Sequence, residues 1–356
     1  MIRICNDARQ SLVKRLIIAA VFCSLFFLPL ACAAQAISHS PPAQYPLHAS
    51  TQLVKIDAGV RDKQENFVGG LEQKNFRILI DGSERPIAFF APADAPARIT
   101  VMAEASPAVY LISNQHLLAS YALLDGLSPE DQVALVTYSR APRVILGFTP
   151  DKSAFAIALG QIQYDLGAGQ LNFYDSLSRA LDWLKSFPGK QAIVLLTTGL
   201  DSSSSARWDA LTETLRATDA VIYPVALGGA LRDYTANAPK SHRKKREAGS
   251  AQESASDQPA NPLSFEQANR ALLSLAAFTG GRAYFPRSLN DFVPIYRQIA
   301  GALRHQYVLG IAPEHDGKFH AIAVEVLDAS GQPASGNTKK TKYSVSARQG
   351  YLAPQD

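Results

Sequence analysis

At 356 residues, 47% apolar and 19% charged, the chain is long enough for two domains with real cores, which excludes a disordered or fibrous protein. The net charge of +4 is local. Arg3, Arg9, Lys14 and Arg15 outweigh Asp7 at the start, and Lys240, Arg243, Lys244, Lys245 and Arg246 form a second basic run, so the remainder is acidic and offers no general face for nucleic acid.

Residues 1–36 read as a signal peptide: a basic start, an apolar run over 16–30, then small residues. Two small-x-small sites place cleavage after Ala33 or Ala36. Leu30-Ala31-Cys32 resembles a lipoprotein signal, but Pro29 stands where such signals want an aliphatic residue, so anchoring at Cys32 ranks below cleavage and release. A periplasmic or secreted protein is expected, with no membrane span in its mature part. Cys5, Cys23 and Cys32 all lie in this segment, which leaves the mature part without a disulfide, a thiol nucleophile or a cysteine metal ligand.

Residues 37–50, rich in Pro, Ser and Ala, form an expected flexible lead-in to a β segment over 51–96. There, residues 53–60 alternate loosely, Phe76, Ile78 and Ile80 alternate cleanly, and the Asp81-Gly82 turn leads to an apolar run over 86–90. From residue 97 to 304 short apolar strands alternate with amphipathic helices: strands over 99–103, 132–138, 144–148, 192–197 and 221–226, and helices over 109–124, around 177–184, over 208–217, 265–278 and 289–304. In the first helix Ile112, Leu117, Tyr121 and Leu124 fall on related faces. This rhythm predicts an α/β domain with a doubly wound, mainly parallel sheet. Residues 229–262 are polar and small and read as a disordered insert carrying the basic run. Over 305–353 the chain returns to strands, at 306–311, 319–327 and 343–347. Neither terminal β segment has enough strands to stand alone, so the two are expected to pair into a small β-sandwich-like domain from which the α/β domain is inserted.

Several segments carry a resemblance by their order and spacing. They are Val60-Arg61-Asp62-Lys63, Phe67-Val68-Gly69-Gly70-Leu71, residues 75–82, Ile87-Ala88-Phe89-Phe90, residues 131–136, Tyr174-Asp175-Ser176-Leu177, Thr279-Gly280-Gly281 and Arg348-Gln349-Gly350-Tyr351. Together they resemble the acidobacterial-type von Willebrand factor A-related family over nearly all of residues 50–353. The resemblance implies a von Willebrand A-type fold in an exported protein that binds other proteins. In the wider fold an Asp-x-Ser-x-Ser loop, a Thr and a second Asp hold a divalent cation of the Mg²⁺ type. Mapped here, the first loop reads Glu104-Ala105-Ser106-Pro107-Ala108, the Thr position falls on Leu171, and the second Asp has become Thr198. With one carboxylate instead of two, and Glu a methylene longer than Asp, no tight metal is expected at an ion radius of about 2.0–2.1 Å. A residual Mg²⁺ site using Glu104, Ser106, Thr198 and Asp201 is the alternative.

No catalytic motif is present. The sequence has no Gly-x-Ser-x-Gly elbow, His-Glu-x-x-His, Walker A or dinucleotide glycine pattern. Glu314, His315, Asp316 and His320 form a compact polar group, read as a turn around Gly317. Asp201 with Ser202 to Ser205 reads as a cap for the helix that follows. The expectation is a protein-interaction or adhesion module with an unknown protein partner and no cofactor. The competing reading is a structural envelope protein with no loop-end ligand.

Overall fold

The computed structural model describes residues 53–92, 95–167, 170–237, 262–336 and 341–355. The expected signal peptide, the lead-in and most of the basic insert lie outside the described residues.

The central sheet has five strands in the order β7-β6-β5-β8-β9. Strand β5 (Ala97–Glu104) pairs in parallel with β6 (Gln132–Tyr138) and β8 (Lys190–Thr197), and β9 (Val221–Ala226) continues the parallel array beside β8. Strand β7 (Pro142–Thr149) closes the other edge antiparallel to β6, with register shifts, and is the one strand of this sheet left half exposed. The remaining strands are almost wholly buried and mostly apolar because both faces are covered. On one face Ile99, Val101, Val133 and Val194 pack against Leu123 of α2 (Ser113–Leu124), Phe155 of α3 (Lys152–Gly160) and Ile299 of α8 (Phe292–Arg304). On the other, Met102, Ile193 and Leu195 meet Leu177 and Leu181 of α4 (Phe173–Leu184), Leu211 of α5 (Trp208–Ala217) and Leu272 of α7 (Pro262–Thr279). This is the expected doubly wound α/β arrangement.

Two four-stranded antiparallel sheets enclose a separate core. One has the order β12-β1-β10-β4, made of β12 (Ser344–Ser346), β1 (Val54–Arg61), β10 (Gln306–Ile311) and β4 (Phe89–Ala91). The other has the order β13-β11-β2-β3, made of β13 (Gly350–Leu352), β11 (Phe319–Val326), β2 (Phe76–Ile80) and β3 (Ser83–Arg85). Ile56, Ala58 and Val60 of β1 point into this core beside Tyr307 and Leu309, opposite Ile78 and Ile322. The other face of β1 carries Lys55, Asp57, Gly59 and Arg61, as the two-residue period of a strand requires. That face meets the strand beginnings of the central sheet. Lys55 and Arg348 both pair with Asp219, just before β9, and Lys190 at the start of β8 donates to the Leu303 carbonyl. The carboxyl ends of the central strands therefore point away from the sandwich.

Four sequence readings need correction. The helix expected over 109–124 is broken at Leu111 and Ile112 into α1 (Pro107–Tyr110) and α2, and Tyr121 is 47% exposed instead of facing the core. The insert expected to be disordered from 229 begins with helix α6 (Gly228–Asn237), held by buried Ala230 and Leu231. Helix α7 starts at Pro262, three residues before the expected start at 265. Helix α3 was not anticipated: Asp151 caps it by accepting from the Ser153 and Ala154 amides, and Phe155, Ala158 and Leu159 bury one face.

Candidate functional site

Strand β5 ends at Glu104, β6 at Tyr138 and β8 at Thr197, so three adjacent parallel strands deliver polar side chains to one end of the sheet. Ligands of open α/β sheets sit at this end. The Glu104 side chain is 1% exposed. Its Oε1 accepts from Ser106 Oγ at 2.7 Å. Its Oε2 accepts from the Thr198 amide at 2.6 Å, from Thr198 Oγ1 at 2.8 Å, from Thr197 Oγ1 at 3.3 Å and from Tyr138 Oη at 3.4 Å. Burial pushes the Glu104 carboxyl up, and the bonds from Ser106, Thr198 and Thr197 pull it back toward the ionised form. The Tyr138 phenol is raised well above its ordinary value, first by burial and then by the charge of Glu104.

The donors are themselves held. Ser106 caps α1, its Oγ accepting from the Val109 amide at 3.4 Å, with Pro107 at the first helical position where a missing N–H costs nothing. Thr197 Oγ1 accepts from the Gly199 amide at 2.8 Å and lies 2.6 Å from Tyr138 Oη. Gly199, at φ +72°, makes the turn that brings the Thr198 amide onto Glu104.

Of the five positions singled out in the sequence, Glu104, Ser106 and Thr198 come into direct contact. Leu171 and Asp201 do not join them. Leu171 is buried in the core, its amide donating to Ser202 Oγ (2.8 Å) and its carbonyl accepting from the Ser202 amide (2.9 Å). Asp201 Oδ1 accepts from the Tyr174 amide at 3.2 Å, and Ser204 Oγ accepts from the Asp175 amide, also at 3.2 Å. Asp175 returns the contact by accepting from the amides of Ser205 (2.8 Å) and Ala206 (2.9 Å). The Asp201–Ser205 run therefore serves the start of α4, not the helix that follows it, whose own N-cap Arg207 makes no side-chain cap. An acidic oxygen on the first amides of α4 matches the helix dipole. Sequence reading missed Tyr138 and Thr197; a tyrosine closing an otherwise apolar buried strand was the available signal.

The loop end carries exposed apolar side chains beside this polar cage. Tyr110 and Leu111 follow Ser106, Leu166 follows the Asp165 amide that donates to the Ala105 carbonyl, and Tyr110 stacks edge-on with Tyr164 at 5.5 Å. At the far side of the sandwich, His320 bridges Asp81 (Nδ1 to Oδ2, 2.7 Å) and Asp316 (Nε2 to Oδ1, 3.0 Å), while Glu314 pairs with Arg85. The polar group expected as a turn thus also gathers Asp81 from another strand pair. Among the described residues no three His, Cys, Asp or Glu side chains are grouped to hold a metal, and no helix is long and apolar enough to cross a membrane.

Residues 94–210 match the family model of the von Willebrand factor type A domain. No curated protein matches the chain in sequence. Among solved structures the chain is similar to the conserved hypothetical protein BatB from Bacteroides thetaiotaomicron, at 13% identity and TM-score 0.36, covering 58% of this chain and 98% of that one. It is also similar to a von Willebrand factor type A protein from Catenulispora acidiphila, at 11% identity and TM-score 0.40, covering 80% and 72%. A third is an aerotolerance-related membrane protein from Bacteroides fragilis, at 13% identity and TM-score 0.38, covering 57% and 98%. Residues 94–210, within the α/β unit, are thus similar to a von Willebrand factor type A domain.

Proposed function

We propose that the chain is an exported protein-interaction or adhesion module whose loop end binds a protein partner without a metal ion. Von Willebrand factor A domains are in general interaction modules, and the observation that carries the metal-free reading is the closure of Glu104. Both of its oxygens already accept from protein donors, and Ser106 and Thr198 turn their hydroxyl protons toward it. A dication would need those lone pairs and a second carboxylate. Asp201, the remaining acid in the loop, is committed to the start of α4. The residues present therefore do not fit a hydrated Mg²⁺. Export rests on the basic, apolar and small-residue succession of residues 1–36.

Without an ion, recognition falls to shape and apolar area. Tyr110, Leu111 and Leu166 supply exposed apolar side chains there, and aromatic anchors such as Tyr110 dominate protein interfaces. No motif for catalysis accompanies them.

Titrating Mg²⁺ and Mn²⁺ into the purified chain, with calorimetric detection, tests the metal-free claim. The expected result is no saturable heat at micromolar ion; micromolar binding that disappears in Glu104→Ala overturns it. Partner capture from an envelope extract should survive EDTA and be lost in the double variant Leu111→Asp/Leu166→Asp. Capture abolished by EDTA, or unchanged in that variant, refutes the loop-end reading.

A further inference from the structure

Away from the loop end, two residues with buried, unpartnered side-chain oxygens line the same cleft. The Tyr223 hydroxyl and the Gln306 amide lie beside each other without a well-formed hydrogen bond, each residue is 2% exposed, and both line a cleft of about 260 Å³ where β1 and β10 meet β9. Buried polar atoms are seldom left alone, so each such pair asks what completes it. Tyr284, whose hydroxyl lies against Arg61 without a well-formed hydrogen bond, is near Tyr223, as is Asp57.

Two guanidinium groups stand at the same cleft. Arg61 closes β1 with its side chain 12% exposed, its cation lying 4.1 Å over the Phe67 ring; Arg282, half exposed, follows the Gly280-Gly281 pair. One oxygen holds both: Glu65 Oε2 is 3.0 Å from Arg282 Nη1 and 3.8 Å from Arg61 Nη1. Glu65 sits on an exposed turn at φ +65°, a conformation that side chains other than glycine rarely adopt. A solvent-facing carboxylate in a disfavoured conformation is a weak occupant of a two-arginine clamp, and planar guanidinium forks are well suited to carboxylate. The volume is below that of sites for larger organic ligands and matches a single residue-sized molecule.

We propose that this cleft binds an α-amino acid unit with a free carboxylate, the carboxylate replacing Glu65 on Arg61 and Arg282 and the adjacent N–H donating to Gln306 Oε1. The unit is either a free amino acid or the last residue of a peptide. The Tyr223 hydroxyl supplies a further donor to the carboxylate. The cleft lies at the opposite end of the sheet from Glu104, so its occupancy is independent of the loop-end reading.

Calorimetric titration of the full chain at low salt tests the assignment with four probes: L-alanine, Ala-Ala-Ala, its C-terminal amide, and acetate. Saturable one-to-one binding of L-alanine or of the free-acid tripeptide, with none of the amide, is expected, and which of the two binds tells the source. Glu65→Gln removes the internal competitor and should tighten binding at least threefold. Arg282→Gln, a half-exposed position that the fold tolerates, should weaken it tenfold or more, and Tyr223→Phe should weaken it severalfold. Absence of saturable binding to both the native and Glu65→Gln chains overturns the proposal. So does binding that is unaffected by Arg282→Gln, or acetate binding as tightly as the amino acid.

Discussion

Replacing Asp57 by Asn should stabilise the protein, and do so only as pH rises. Asp57 lies on β1 opposite Val308, on the face turned toward the α/β unit, 7% exposed and with Oδ1 unpartnered. Burial outweighs the attraction of Lys190, Arg348 and Lys55, and Asp219 adds repulsion, so its carboxyl is raised from 3.8 to about 6. A carboxyl raised by folding favours the folded state fully below pH 3.8, where it is protonated in both states. That contribution is lost as pH rises through 6. A shift of about two units corresponds to roughly 3 kcal/mol between the two limits. Asn carries no charge to desolvate, so Asp57→Asn should match the native chain near pH 4 and exceed it by up to about 3 kcal/mol above pH 7. Urea unfolding at a series of pH values, followed by circular dichroism and by the fluorescence of Trp183 and Trp208, measures the gap. A gap that does not change with pH, or a variant less stable than native at pH 7, refutes the reasoning and means that the Lys190 and Arg348 cations stabilise the ionised form.

At the loop end, Glu104→Ala strands a buried amide and several hydroxyls and should cost about 3–5 kcal/mol in a denaturation experiment, whereas Glu104→Gln keeps an acceptor for Thr198 and should cost only about 1 kcal/mol. Equal losses in the two variants would mean that side-chain volume and not hydrogen bonding holds the site. His320 is raised above its ordinary 6.5, first by its bond to Asp81 and then by that to Asp316. Its stabilisation is therefore whole below pH 6.5 and lost as pH rises through the raised value, so its ring protons should titrate above 6.5 by NMR and His320→Asn should remove that part of the pH dependence. Gly281→Ala places a Cβ 1.9 Å from the Ile222 carbonyl oxygen and should destabilise by about 2–4 kcal/mol, read as a lowered thermal midpoint.

Local patterns reveal what local contacts decide. Leu177, Ala180, Leu181 and Leu184 face one core from one helix, and their spacing alone announces α4. The mostly apolar strands announce a sheet covered on both faces for the same reason. Where composition was used in place of pattern, the reading failed: Gly229 opened what looked like a disordered insert, yet buried Ala230 and Leu231 seat α6 on the core. The break between α1 and α2 also escaped, because Leu111 and Ile112 continue an apolar helical spacing while the chain turns through them.

The candidate site was legible as a list of positions but not as an arrangement. Comparison with a metal-binding pattern marks Glu104, Leu171 and Thr198 as departures and predicts loss of the ion. It says nothing of the donors that surround Glu104, because they come from far along the chain: Tyr138 is 34 residues from Glu104 and Thr197 is 93. The length of the Glu104 side chain lets its carboxylate reach from the end of β5 to the Thr198 amide and hydroxyl just past β8. Glu104 thereby cross-links the end of β5 to the turn after β8 at the loop end. A buried carboxylate and its donors thus tie together the loop ends from which Tyr110 and Leu111 follow.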